Sequence, residues 1–226
     1  MLHTVLLFRD MQSADLAALE AASTILEPRD RGTVFDQGDP ADAVYAVIGG
    51  DGHVRVGAVD QHSKALMVEL LRLGDVFGEI GVIDGGTRTA SAVVEGRVRL
   101  VRIRSQAFLE ALATSPALGN ALCRLMARRL RRTYGLFQDA TFETLEVRLA
   151  RQVLYLLDQD SKPTPQGVRI GSRLRQKDLA DLLGTTTRSI ITILNTWRSA
   201  GLVAYDTDRA LLTARDVPAL RAIIDR

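Results

Sequence analysis

The sequence predicts an α+β chain: an N-terminal β-barrel or roll, one long helix, and a C-terminal helical region closed by a hairpin. Three observations carry this. From Thr24 to about Ile103, short β-branched runs alternate with turn clusters rich in glycine, proline and aspartate. From Pro116 the apolar residues fall into helical spacing. Beyond Thr141–Thr144, two short amphipathic helices flank Gly184 ahead of a hairpin pattern.

In order, Ser13 to Ala22 reads as a short helix with a serine start signal. The β-runs are Thr33 to Phe35, Val44 to Ile48, His53 to Val59, Leu66 to Leu71, and Ala92 to Ile103. Gly38-Asp39-Pro40, Gly49 to Gly52 and Asp84-Gly85-Gly86 turn the chain between them, which suits a barrel or roll. Pro116 opens the long helix, since proline suits a first helical turn. Leu122, Met126, Leu130, Thr133, Phe137 and Ala140 follow coiled-coil steps along it and call for a partner helix. Arg124, Arg128, Arg129, Arg131 and Arg132 lie largely outside that seam and read as a solvated flank. Leu145 to Leu157 is a further helix, ended by a Ser161-to-Pro165 loop. Gln176 to Leu183 and Thr186 to Ala200 are the two helices around Gly184, Leu202 to Thr213 is a hairpin turning at Asp206 to Arg209, and a short helix starts at Asp216.

Composition bounds the function. At 226 residues and 46% hydrophobic content, the chain can bury one large or two modest cores. The single cysteine, Cys123, forms no internal disulfide and cannot alone hold zinc or an iron–sulfur cluster, so a reducing cytoplasm is the expected location. Neither an eighteen-residue apolar run nor a signal-peptide pattern is present, so no membrane partner is expected. Net charge is only +2, yet all 29 basic residues except Lys64, Lys162 and Lys177 are arginine. Guanidinium groups fit phosphates and guanine edges, which makes nucleic acid a reasonable partner. A GC-rich genome explains the same bias. His3, His53 and His62 form no metal-spaced or nucleophilic cluster, so no enzyme and no metal are expected.

Residues Val76 to Ala92 pair one acid, Glu79, with one arginine, Arg88, across a glycine turn. Glycine lets backbone approach an anion, an arginine fork binds phosphate, and a carboxylate accepts from a sugar hydroxyl. Read without a ligand, Glu79 and Arg88 are an ordinary surface ion pair. At the other end, Leu179, Leu182, Ile190, Ile193 and Leu194 fall on the inner faces of the two short helices. This leaves Thr186, Thr187, Arg188, Ser189 and Thr192 at the exposed start of the second, where hydroxyls and arginine suit DNA.

Phe77-Gly78-Glu79-Ile80-Gly81 followed by a short turn and Arg88-Thr89 resembles the phosphate-binding cassette of cyclic-nucleotide-binding domains. Together with Met126 to Thr133 and the helix-turn-helix, it makes the whole chain similar to the CRP/FNR superfamily of transcription regulators, nearest the cyclic-AMP receptor protein type. The resemblance implies a cyclic-nucleotide-binding β-roll of jelly-roll type over 1–115, a dimerisation helix over 116–142, and a winged helix-turn-helix DNA-binding domain over 143–226. By it, Gly78 presents its backbone, Glu79 accepts the ribose 2′-hydroxyl, Arg88 with Thr89 holds the cyclic phosphate, and Ile80 is counted among the cyclic-nucleotide-binding residues. Thr133 falls where a hydroxyl meets the adenine amino group, or else merely sets the helix register. Tyr134 stands where the opposite subunit usually supplies a serine, a departure that puts the cross-subunit contact in doubt. Cyclic AMP is the favoured allosteric ligand, and Thr89 keeps cyclic GMP open.

In the DNA-binding part the family's frequent Arg-Glu-Thr-Val-x-Arg run appears as Thr187-Arg188-Ser189-Ile190-Ile191-Thr192, lacking the glutamate and the second arginine. A different DNA target is expected, with Arg188 reading bases and Arg175, Lys177 and Arg209 holding phosphates. The implied partners are double-stranded DNA, a second copy of the chain, a cyclic nucleotide and RNA polymerase. A haem sensor using His53 or His62, another effector, and ligand-independent DNA binding are the alternatives.

Overall fold

The computed structural model describes residues 1–59 and 65–225. The chain divides into two compact units, 1–64 with 68–132, and 65–67 with 133–226.

The first unit opens with two short 3-10 turns, Leu2–Thr4 and Leu6–Phe8, and helix α1, Ser13–Ala21. Gln12 rather than Ser13 holds the N-cap position, without a side-chain bond. Strands β1 (Ser23–Leu26), β2 (Thr33–Phe35), β3 (Ala43–Gly50), β4 (His53–Val59), β5 (Ala65–Leu71) and β6 (Val76–Phe77) follow, then helix α2 (Glu79–Asp84), β7 (Ser91–Glu95), β8 (Val98–Arg104) and helix α3 (Ser105–Thr114). One sheet runs β1-β8-β3-β6 and the other β2-β7-β4-β5. The expected single run from Ala92 to Ile103 is two strands in different sheets, because Gly96 (φ +77) turns the chain between them.

β3 explains why its sequence is apolar without alternation. Val44 and Ala46 face a cluster containing Phe8, Ile103, Phe108 and Leu118, while Ala43, Tyr45 and Val47 face the cluster between the sheets with Phe77, Val94 and Leu100. Both faces of the strand are buried.

Helix α4, Pro116–Phe142, then begins. Its first part corrects the expected seam: Leu122 is buried in the first cluster and Met126 packs against it. A heptad reading registers spacing but not direction, and this stretch of the stripe is taken up by the chain's own core. From Leu130 onward the expected seam does face outward, with Leu130, Thr133, Phe137 and Ala140 exposed. Before it the exposed residues are Cys123 and Ala127, one position on, so that Cys123, Ala127, Leu130, Tyr134 and Phe137 are exposed at alternating steps of four and three.

The second unit contains the rest of α4, α5 (Leu145–Gln159), β9 (Ser161–Thr164), β10 (Gly167–Ile170), α6 (Gln176–Leu183), α7 (Thr187–Ser199), β11 (Val203–Asp206), β12 (Leu211–Ala214) and α8 (Val217–Ile224). The hydroxyls of Thr144 and Thr186 and the carboxylate of Asp216 cap α5, α7 and α8. The expected loop at Ser161 is a strand instead. β9 pairs with β10 from Ser161↔Ile170 to Thr164↔Gly167, and Pro163 is accommodated because β9 is the edge of the order β11-β12-β10-β9. Leu149, Val153, Leu174, Leu179, Ile190, Leu194, Trp197 and Leu220 are buried. The Trp197 indole N–H donates to Glu146, tying α7 to α5.

Candidate functional site

β6 delivers the chain to Gly78, whose positive φ (+77) swings it into α2. A Cβ here would lie 2.7 Å from Arg88 Nη1 and 3.2 Å from the Phe35 ring, so the backbone must be bare for the guanidinium to fit. Arg88 is only 3% exposed. Its Nη1 donates to the Gly78 carbonyl (2.7 Å) and its Nη2 to Asp42 Oδ1 (3.2 Å). Its plane lies over Phe35, 4.2 Å from the ring centre. Backbone bonds from Arg88 N–H to Asp39 and from Gly38 N–H to Arg88 hold the segment against the turn before β3. The Arg88 Nε–H is buried without a partner.

Glu79, the first residue of α2, is 1% exposed. Its Oε1 accepts from Arg129 Nη1, while Oε2 is buried and unpaired. Arg129 also donates to the Val76 carbonyl (2.6 Å) and lies 3.4 Å from Glu69 Oε2. Burial acts against its charge but is outweighed by Glu79 and Glu69, which hold its pKa above the usual arginine value. Burial pushes the carboxyls of Glu69 and Asp75 up.

Glu79 and Arg88 are therefore not the surface pair of the ligand-free reading: both are buried, and each binds other partners. Buried polar atoms are nearly always satisfied. Here a donor on Arg88 and an acceptor on Glu79 are both left over. Ile80 and Thr89 stand exposed beside them. Thr133 and Tyr134 are exposed positions of α4 in the second unit.

Sequence reasoning missed Glu69 and Asp42, for which no local signal exists. It also placed Arg129 in a solvated flank. Its guanidinium is largely buried, because Arg129 follows Met126 by one helical turn and shares the face the core uses. Arg124, Arg128 and Arg131 are exposed as expected.

At the helix-turn-helix, Gly184 ends α6 in the left-handed conformation (φ +60). Leu179, Leu182, Ile190 and Leu194 are buried and Ile193 half-buried, leaving Thr186, Arg188 and Thr192 exposed and Thr187 and Ser189 half-exposed. Thr186 Oγ1 bonds the Ser189 hydroxyl (2.9 Å), and Thr192 donates to the Arg188 carbonyl. Arg175 and Lys177 are paired with Asp178 and Asp181 of their own helix. Arg209 stands exposed in the β11–β12 turn, 3.9 Å from Asp206. His53 lies 3.4 Å from Glu95, and His62 lies outside the described residues. Among the described residues no group of three or more His, Cys, Asp or Glu is placed to hold a metal, and no helix is long and apolar enough to cross a membrane.

Two family models match the chain. Residues 28–115 match the cyclic nucleotide-binding domain, and 147–223 the Crp-like helix-turn-helix domain. The chain is 29% identical to the CRP-like cAMP-activated global transcriptional regulator of Mycobacterium tuberculosis, over 93% of this chain and 95% of that one. It is 31% identical to the cyclic AMP receptor protein of Thermus thermophilus, over 75% and 74%. In structure it resembles the c-di-GMP responsive global regulator CLP of Xanthomonas campestris (TM-score 0.77, 22% identity, covering 91% of this chain and 100% of that chain), which shows the fold alone. With a cyclic-nucleotide-binding domain ahead of a Crp-like helix-turn-helix and that extent of likeness, the chain belongs to the CRP/FNR family of transcription regulators.

Proposed function

We propose that this regulator is a homodimer that binds a cyclic nucleotide in the 1–115 roll, associates through the 116–142 helix, and reads double-stranded DNA with 143–226. The observation that carries the reading is the leftover pair: a buried Arg88 Nε–H and a buried Glu79 Oε2, both unpaired. A cyclic phosphate supplies the anion the first lacks, and a ribose 2′-hydroxyl donates to the second. Gly78, Ile80 and Thr89 border the ligand. Cyclic AMP is favoured by the family resemblance and by the names of two relatives, and cyclic GMP is the alternative. Thr133 and Tyr134 are the α4 residues assigned to the base.

The outward stripe Cys123, Ala127, Leu130, Tyr134, Phe137 supports a second copy as the helix's partner, since bare aromatic and leucine side chains at heptad spacing are costly in water. Ligand binding then shifts the population of DNA-competent dimers by its differential affinity. On DNA, Arg188 reads bases with Thr187, Ser189 and Thr192 beside it, while the Thr186 cap, Arg175, Lys177 and Arg209 position the backbone. RNA polymerase is the partner at the promoter, in the cytoplasm.

The test is calorimetric titration of the full chain with cyclic AMP and cyclic GMP, beside Arg88→Ala. Binding abolished by the substitution supports the reading. Binding of neither nucleotide to the unsubstituted protein overturns it and transfers the role to another effector or to constitutive DNA binding.

A further inference from the structure

The core side of α7 is made by Ile190, Leu194 and Trp197, all buried, with Ile193 half-buried beside them. Ile191 points elsewhere and is left 36% exposed. An isolated exposed isoleucine is ordinary on a protein surface. This one follows Arg188 by three residues, so the two are neighbours on the helix. Thr192, four residues beyond Arg188 and also exposed, joins them. Its hydroxyl donates to the Arg188 carbonyl (3.0 Å), and Thr196 repeats the bond one turn on, to the Thr192 carbonyl (3.2 Å). With that hydrogen committed to the backbone, Thr192 adds chiefly its γ-methyl to the face. The surface that α7 turns outward here is therefore a guanidinium flanked by methyl groups rather than a row of free hydroxyls.

We infer that Ile191, with the γ-methyl of Thr192, reads the C5-methyl group of a thymine close to the guanine met by Arg188. This rests on the DNA-reading role proposed above and deepens it by naming a base that no polar side chain of α7 selects. In the major groove thymine presents a methyl group beside its O4 acceptor, whereas the edges of the other three bases offer polar atoms without one. A methyl group against isoleucine removes apolar surface of both from water. An amino group or ring nitrogen in the same place would lose its water and gain no partner. Discrimination thus comes from the penalty on the wrong base as much as from the contact with the right one. Ile191 stands about 4.5 Å along the helix axis from Arg188. Base pairs are about 3.4 Å apart, so the thymine falls about one or two pairs from the guanine.

The experiment begins with selection of binding sites by the full-length protein from a randomised duplex pool, with cyclic AMP and, separately, cyclic GMP present. In the selected duplex each thymine is then replaced singly by deoxyuridine, which removes the methyl group and keeps the base pairing, and affinities are read by fluorescence anisotropy. One replacement close to an enriched guanine is expected to weaken binding by the unsubstituted protein about fourfold, the scale of one buried methyl group. Ile191→Ala should bind the thymine and deoxyuridine duplexes alike, because the methyl group has then lost its partner. Alanine is the better helix former at an exposed position, so the variant should fold. No loss on any replacement, or the same loss in Ile191→Ala, overturns the assignment to Ile191 and leaves the DNA-reading role standing, since the selection itself reports on that role. Enrichment of no sequence with either nucleotide overturns both.

Discussion

Arg129 donates to one oxygen of Glu79 while the other oxygen of the same carboxylate remains buried and unpaired. The guanidinium thus neutralises the acid without exhausting it, and the two residues, 50 positions apart in the chain, act as one device.

Removing the cation should expose the cost of that burial. Arg129→Met leaves Glu79 charged and uncompensated, and a loss of about 3 kcal/mol in unfolding free energy is expected. Adding Glu79→Gln should recover much of it. Denaturant unfolding of the two single variants and the double variant measures the coupling, and additive effects would show that the pair is not a unit.

Glu69 and Asp75 make stability pH-dependent in an unusual sense. Both carboxyls have folded pKa values raised above their ordinary ones, burial being the largest cause. The folded state therefore holds protons that the unfolded state has released, and stability falls as pH rises from the ordinary carboxyl range through the raised values. Asp75→Asn should remove part of that slope, since the amide oxygen can still accept from the Arg72 backbone N–H. Unfolding of both proteins from pH 4 to pH 8 gives the difference. An advantage of the variant that shrinks with rising pH contradicts the assignment.

The two sides of α4 predict opposite outcomes. Leu130→Glu and Phe137→Glu lie on the outward stripe and should dissociate the proposed dimer with folding retained. Leu122→Ala lies in the core and should cost roughly 3 kcal/mol of stability while leaving assembly of the folded protein intact. Sedimentation together with thermal unfolding separates the two. Cys123 serves as a probe: if two helices meet in parallel along this stripe, mild oxidation should cross-link them.

On DNA, Arg188→Ala should weaken binding by about 1–3 kcal/mol and relax specificity at one base pair. Arg209→Ala should weaken all sequences alike and reduce the salt slope by about one. Arg175 and Lys177 pair with Asp178 and Asp181 at 3.1 and 2.9 Å, closer than Arg209 lies to Asp206 (3.9 Å), so their alanine variants should change the salt slope less than Arg209→Ala does. Fluorescence anisotropy across a salt series, on cognate and scrambled duplexes, distinguishes these cases.

The sequence by itself determined the order of the parts. Short β-runs, the Pro116 helix and the Gly184 turn depend on local propensity, and the structure places each near its expected bounds except the Ala92-to-Ile103 run, which Gly96 splits into two strands. Gly78, Glu79 and Arg88 stood out in the sequence because they lie within eleven residues of one another, and the structure shows the two charged ones buried. What lay beyond the sequence involves residues far apart or the direction of a face. The strand at Ser161 escaped because its pairing with β10 outweighs the turn signals of Pro163 and Pro165. Only the tertiary structure decided that Leu122 and Met126 turn inward, that Arg129 leaves the flank to reach Glu79, and that Glu69 stands behind it. The reason is physical. A helical period fixes which residues share a face, but burial of that face, and the pairing of charges forced by burial, depend on what the rest of the chain brings against it.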